Sequence, residues 1–170
     1  LHRKNYYFNI GLTKNSFEGK SILELCPGSG YNAYFLLKKF KVKNIKLVDN
    51  NPSSIKLLKK NLSKHKNISI YNKDINKFNT KEKFDFVIIE NALDNFSNDK
   101  FITKKAISFA KSYGSVIFTI GDKYGILSTK LRYVLSLILL NQKKIFNLEK
   151  KVHFLSSIFK EHLKYLSKNT

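Results

Sequence analysis

Leu23-Glu24-Leu25-Cys26-Pro27-Gly28-Ser29-Gly30 is the stretch on which the fold turns. Ser21 to Cys26 (SILELC) is a short apolar run with one carboxylate in it. Residues 30–40 then place Ala33, Leu36 and Leu37 at helical spacing. A strand therefore passes into a helix through a loop that holds Gly28 and Gly30. Glycines let a ligand approach the backbone with no Cβ in the way. The helix behind them offers free N–H groups and a positive dipole end.

The same alternation continues outward. Asn44 to Asp49 (NIKLVD) reads as the second strand, and Asn50-Asn51-Pro52 leads into a helix to about Lys64. Its apolar stripe is Ile55, Leu58 and Leu62. Asn67 to Tyr71 reads as a third strand, and Phe84 to Ile89 (FDFVII) as a fourth. Asp99 to Ser112 is predicted helical, with Ile102, Ala106, Phe109 and Ala110 inward. Ser115 to Ile120 reads as the fifth strand, opened by a turn at Tyr113-Gly114. Apolar strands joined by helices imply a mostly parallel sheet covered on both faces. Right-handed crossovers make it doubly wound, a Rossmann-like α/β fold of at least five strands. Beyond it, Ser128 to Asn141 and Glu149 to Ser167 read as two helices that form a cap. The expectation is a single domain over residues 1–170, with a cofactor-binding core at 19–122 and a helical cap at 123–170.

In such sheets ligands bind at the carboxyl ends of the strands. Gly28-Ser29-Gly30-Tyr31-Asn32-Ala33 formally matches the dinucleotide pattern G-x-G-x-x-G/A, and Asp49 follows about twenty residues on. An NAD(P)-dependent oxidoreductase thus stays open on the glycines alone. Glu24 weighs against it, because a carboxylate beside the turn repels a pyrophosphate. S-adenosylmethionine carries no phosphate, and its sulfonium and ammonium both suit a nearby carboxylate. Glu24 could otherwise face solvent on an edge. A carboxylate such as Asp49 accepts from both hydroxyls of a ribose, unless it serves as a helix N-cap before Pro52-Ser53. Asp74 can accept from an adenine amino group, or sit in a solvated turn.

The order of these segments resembles class I S-adenosylmethionine-dependent methyltransferases over about residues 19–122. ILELCPGSG resembles motif I, an acidic residue followed by G-x-G. LVDNNP resembles the acidic loop after the second strand, KDI the segment framing the adenine, and FDFVIIENALDNF motif IV. The resemblance implies S-adenosylmethionine as cofactor, held by Glu24, Cys26, Gly28, Gly30, Asp49, Asn50, Asp74, Ile75 and Glu90. It also puts Glu90 and Asn91 beside the transferred methyl as the catalytic candidates. Cys26-Pro27 departs from the family by replacing the usual first glycine. Pro27 removes an N–H donor. Cys26 is expected to pack rather than act as a nucleophile, since no base or metal is near it in sequence. Other groups that could serve an acceptor are Asp94, Asp122, Lys123 and Tyr124, while His153 and His162 read as surface residues.

The expected acceptor is a small molecule. After the fourth strand, Glu90-Asn91-Ala92-Leu93 has neither the proline nor the aromatic ring of an adenine N6 enzyme. The formal charge of +20 invites an anionic partner. Its cations are almost all lysines spread along the chain, with only Arg3 and Arg132 to make bidentate contacts. Nucleic acid is therefore possible but not favoured, and an RNA methyltransferase stays as an alternative, as does a non-catalytic cofactor-binding remnant. HRKNYYFNIGL, residues 2–12, carries aromatics that could line an entrance. With the helical pair after the fifth strand, it resembles bacterial methyltransferases of surface-sugar and secondary-metabolite pathways.

A single cysteine and no basic-then-apolar leader fit a cytoplasmic setting. The longest apolar run, Val134 to Leu140, is interrupted by Ser136 and falls short of the roughly 18 residues of a membrane span. The pattern fixes no oligomeric state. The chain begins at Leu1 and contains no methionine, which suggests a truncated protein.

Overall fold

The computed structural model describes residues 2–119 and, further on, residues 134, 135, 137, 138, 141, 147 and 150. It divides into two compact units, Leu1–Ile120 and Gly121–Thr170. In the second unit, residues 134, 135, 137, 138, 141 and 150 are helical. The rest of the expected cap, with Asp122, Lys123, Tyr124, His153 and His162, lies outside the described residues.

The first unit is a parallel sheet with helices on both faces. Its elements run α1 (His2–Asn9), α2 (Lys14–Phe17), β1 (Ser21–Leu25), α3 (Tyr31–Phe40), β2 (Asn44–Asp49), α4 (Pro52–Leu62) and β3 (Ile68–Asn72). They continue with β4 (Phe84–Ile89), a 3-10 turn (Leu93–Asn95), α5 (Asp99–Phe109) and β5 (Ala110–Phe118). The strand order is β3-β2-β1-β4-β5. The chain thus leaves β1 first to one side and later to the other, which opens a crevice between the carboxyl ends of β1 and β4.

Pleat alternation explains the two cores. Ile22, Ile45, Leu47, Phe86 and Ile88 face one way and pack with Ala33, Leu36, Leu58 and Leu62 of α3 and α4. Leu23, Leu25, Val48, Val87 and Ile89 face the other way, against Ile102, Ala106 and Phe109 of α5. Glu24 falls on the same parity as Ile22, so it projects beneath α3. It is 2% exposed in the middle strand of the sheet, which removes the solvent-edge alternative.

Local chemistry sets the helix starts. Pro52 occupies the first turn of α4, and the Asn51 side chain accepts from the N–H groups of Ser53 and Ser54. The cap is therefore Asn51, not Asp49. Asn98 caps α5 in the same way, through the Phe101 N–H.

Three expectations need correction. Residues 2–9 form helix α1, and Tyr7 lies fully buried among Phe17, Phe35 and Phe40 instead of lining an entrance. Helix α5 stops at Phe109, earlier than Ser112. The strand already starts at Ala110, and Tyr113-Gly114 is a bulge inside it, between the pairs Phe84–Ala110 and Phe86–Ser115. A Cβ on Gly114 would sit 2.8 Å from the Phe84 carbonyl oxygen, so only glycine fits this bulge. Among the described residues no helix is long and apolar enough to cross a membrane.

Asp85 ties β4 to its neighbours. Its carboxylate accepts from the Ser21 N–H at 2.8 Å, the Ser21 hydroxyl at 2.7 Å and Lys111 Nζ at 2.9 Å. Partial burial pushes the carboxyl up, but the Ser21 and Lys111 contacts outweigh it and hold it down to about 2. Stability from this group is present above its ordinary value of 3.8 and lost as the pH falls through about 2. Asp85→Ala is expected to cost about 1–2 kcal/mol at pH 7 and clearly less at pH 2, where half of the folded-state carboxyl is protonated, read from urea melts at the two pH values.

Candidate functional site

The glycine loop has an unusual backbone. Cys26, Gly28 and Gly30 all take left-handed conformations, with φ of 57°, 56° and 76°. Gly30 does so against α4, where Leu58 and Leu62 leave no room for a Cβ. At Gly28 the Cβ position is open, with no atom within 4 Å, so a ligand can reach the backbone there. Cys26 keeps the glycine conformation without being glycine, at a cost of roughly 1 kcal/mol. Its N–H donates to the Val48 carbonyl at 2.9 Å, which fixes the loop to the end of β2.

A hollow of about 250 Å³ opens where β1, β4 and α1 meet. This is near the lower end of ligand pockets, roughly 300–1,000 Å³. Glu24, Cys26, Pro27, Gly28 and Ser29 form one wall. Tyr31, Asn32, Glu90, Asn91 and Arg3 complete it. The hollow therefore gathers five of the expected residues: Glu24, Cys26, Gly28, Glu90 and Asn91. Asn91 also takes a left-handed φ of 51°, which turns the chain sharply after β4.

The other expected residues lie around it rather than on it. Asp49 is buried, and its carboxylate accepts from the Gly28 N–H at 3.4 Å and the Asn51 N–H at 2.8 Å. Each oxygen keeps a second lone pair for a further donor. Asp74 accepts from the N–H and the side-chain amide of Asn76, a turn within its own loop. Burial pushes the Cys26 thiol up to about 12, helped by the Asp49 and Asp74 charges nearby, so the sulfur stays a neutral thiol. Ile75 is a core residue, Asn50 is exposed, and Gly30 faces a second hollow with Ser29, Tyr31, Tyr34 and Asn61.

Glu24 holds the floor of the site. Its Oε1 accepts from Asn32 Nδ2 at 3.1 Å, while its Oε2 is buried with no hydrogen-bond partner. Burial pushes this carboxyl up to about 7; the Asn32 hydrogen bond and the Arg3 charge oppose the rise, and Glu90 adds to it. A buried carboxylate oxygen with no donor calls for a cation.

Across the hollow, Arg3 forms an ion pair with Glu90 and lies over the rings of Tyr6 and Tyr31. Burial lowers the Arg3 pKa, but the Glu90 hydrogen bond and charge raise it above its ordinary value, so the cation is fixed. Arg3, Tyr7 and Asn32 were not singled out in the sequence. Arg3 stood out only as one of two arginines, and Asn32 only as a member of the Gly28–Ala33 pattern.

The model of the methyltransferase domain family matches residues 22–114, more than half of the chain. The chain belongs to this methyltransferase family. Solved structures agree on the fold. The methyltransferase chain is 18% identical to the N-methyltransferase NodS from Bradyrhizobium japonicum in complex with S-adenosyl-L-homocysteine, with a TM-score of 0.59, covering 69% of this chain and 59% of that one. It is 22% identical to an S-adenosylmethionine-dependent methyltransferase from Clostridium acetobutylicum, with a TM-score of 0.60 over 72% of this chain and 51% of that one. A coclaurine N-methyltransferase bound to N-methylheliamine and S-adenosylhomocysteine gives 17% identity and a TM-score of 0.59, over 68% of this chain and 34% of that one. The methyltransferase chain thus spans between a third and three fifths of these structures' lengths. No curated protein matches the sequence.

The residues of this chain fit S-adenosylmethionine, the methyl donor of the family. An orphaned, buried carboxylate oxygen on Glu24 suits its ammonium and sulfonium charges. The open Gly28 backbone suits close approach, and Asp49 keeps free lone pairs at the end of β2.

Proposed function

We propose that this chain binds S-adenosylmethionine and transfers its methyl group to a small-molecule acceptor. The buried Glu24 carboxylate in the lining of the hollow, with its Oε2 left unpartnered, is the observation that carries the proposal. When bound, S-adenosylmethionine supplies an electrophilic methyl on a good leaving group. The protein's task is then largely positioning. Glu24 accepts from the ammonium, Gly28 and Gly30 keep the loop clear of side chains, and Asp49 accepts from ribose hydroxyls. Cys26, Asn50, Asp74 and Ile75 frame the nucleoside from the strand ends. Glu90 and Asn91 stand at the mouth of the hollow, where Glu90 can take a proton from an acceptor and Asn91 can orient it.

A small acceptor is favoured over nucleic acid because Arg3, the arginine among the described residues, is already paired with Glu90. Amines make the first acceptor panel, since two of the similar structures are named as N-methyltransferases.

Thermal unfolding with added ligand tests the cofactor. At a hundredfold excess over Kd, S-adenosylmethionine or S-adenosylhomocysteine is expected to stabilise by about 2.7 kcal/mol. For a chain of this size that raises Tm by roughly 5–11 °C. NADH is expected to leave Tm unchanged. A shift with NADH alone would replace the proposal with an oxidoreductase, and no shift with either sulfur ligand would end it.

A further inference from the structure

Helix α1 reaches the hollow by two routes, of which the Arg3–Glu90 pair is one. The other is a buried relay. The Tyr7 hydroxyl donates to Asn32 Oδ1 at 2.8 Å, and Asn32 Nδ2 donates to Glu24 Oε1 at 3.1 Å. All three residues are at most 3% exposed. Nothing in direct methyl transfer requires Tyr7, and its ring alone would fill the space among Phe17, Phe35 and Phe40.

The chemistry of the relay is directional. An Asn amide can present either its NH2 or its oxygen to a neighbour. With the NH2 toward Glu24, Oε1 of the ionised carboxylate receives a donor. With the oxygen toward Glu24, only the protonated acid can bond to it. A hydroxyl donating to Asn32 Oδ1 favours the first arrangement. Burial holds the Tyr7 hydroxyl protonated, far above the ordinary phenol range, so it remains able to donate.

We propose that Tyr7 and Asn32 are positioning residues for cofactor recognition: through the Asn32 amide, helix α1 aims the Glu24 carboxylate and keeps it ready for a cation. This rests on S-adenosylmethionine being the ligand. The charged and titratable groups facing Glu24 are Glu90 after β4, and Arg3 and Tyr7 on α1; Asn32 on α3 adds the neutral donor.

Binding of S-adenosylmethionine, measured by calorimetry from pH 6 to 8.5, tests the relay in Tyr7→Phe and, independently, in Asn32→Ala. The ligand's own amine titrates alike with every protein, so the ratio of variant to wild-type Kd isolates the protein. Without the donated hydrogen bond, Glu24 is expected to titrate about one unit higher. The variant should then bind about eightfold more weakly at pH 6.5 and within about twofold of wild type at pH 8.5. Tyr7→Phe keeps the ring packing, and Asn32→Ala suits a helix, so either folded variant decides the matter. An equal loss at both pH values would reduce Tyr7 and Asn32 to structural residues and overturn the inference while leaving the cofactor in place. If wild type binds at no pH, the cofactor itself is wrong.

Discussion

Glu24→Gln is expected to make the ligand-free protein more stable at pH 8 and to weaken S-adenosylmethionine binding about a hundredfold, near 2.7 kcal/mol. The Glu24 carboxyl titrates at about 7 in the fold, against an ordinary value of 4.5. The folded protein therefore holds this proton more tightly than the unfolded chain does. The stability tied to it is complete below pH 4.5 and lost as the pH rises through about 7. At pH 8 the ionised group costs on the order of 3 kcal/mol. Glutamine carries no charge there, and its oxygen can still accept from Asn32. Its NH2 stands where Oε2 lacked a partner, which offsets part of the gain. The net is about 2 kcal/mol, or a Tm higher by roughly 4–8 °C at pH 8, fading to nothing near pH 4.5. Melts at the two pH values, with calorimetric titration of the ligand, measure both halves. A variant less stable than wild type at pH 8 would mean that the ionised carboxylate is already satisfied in the free protein. Trading stability for a charged binding group is a familiar feature of functional sites.

Gly30→Ala is expected to destabilise the protein by about 3 kcal/mol, lowering Tm by roughly 6–12 °C. The left-handed φ of 76° accounts for about 1 kcal/mol of that. The rest comes from overlap, since the new Cβ would lie 2.5 Å from Leu62 Cδ1 and 2.6 Å from Leu58 Cδ2. Both leucines are fully buried under α3, so neither can swing away cheaply. Gly28→Ala provides the contrast. Its φ is also left-handed, at 56°, but no atom lies within 4 Å of the added carbon. The cost in the free protein is about 1 kcal/mol, and the methyl instead blocks approach to the loop. Equal melting temperatures for the two variants would show that helix packing does not select Gly30. One motif thus contains two glycines kept for different reasons: Gly30 to let two helices meet, Gly28 to leave a surface open.

The fold was largely readable along the chain because its signals are local. Strands buried on both faces appear as continuous apolar runs such as FDFVII, and Ile55, Leu58 and Leu62 recur at helical spacing. Errors fell where a local signal has two meanings. Tyr113-Gly114 reads as a turn between elements, yet only strand pairing with Phe84 and Phe86 reveals a bulge inside β5. Helix α1 has no strong stripe, and it owes its place to Tyr7 inserting among aromatic rings from α2 and α3. That contact spans parts of the chain that no periodicity links.

Of the site, the sequence by itself determined the ingredients: an acidic residue beside a glycine loop at the end of the first strand, and Asp49 ending the second. These depend on residue type and on distance along the chain, which a strand–turn–helix unit preserves. Only the tertiary structure decided how they are partnered. It left one oxygen of Glu24 without a donor, bonded one oxygen of Asp74 to Asn76 in its own turn, and brought Arg3 to Glu90 across 87 residues. Hydrogen-bond partnership and charge depend on distance in space, and the crossovers that set those distances bring together residues that are remote in the chain.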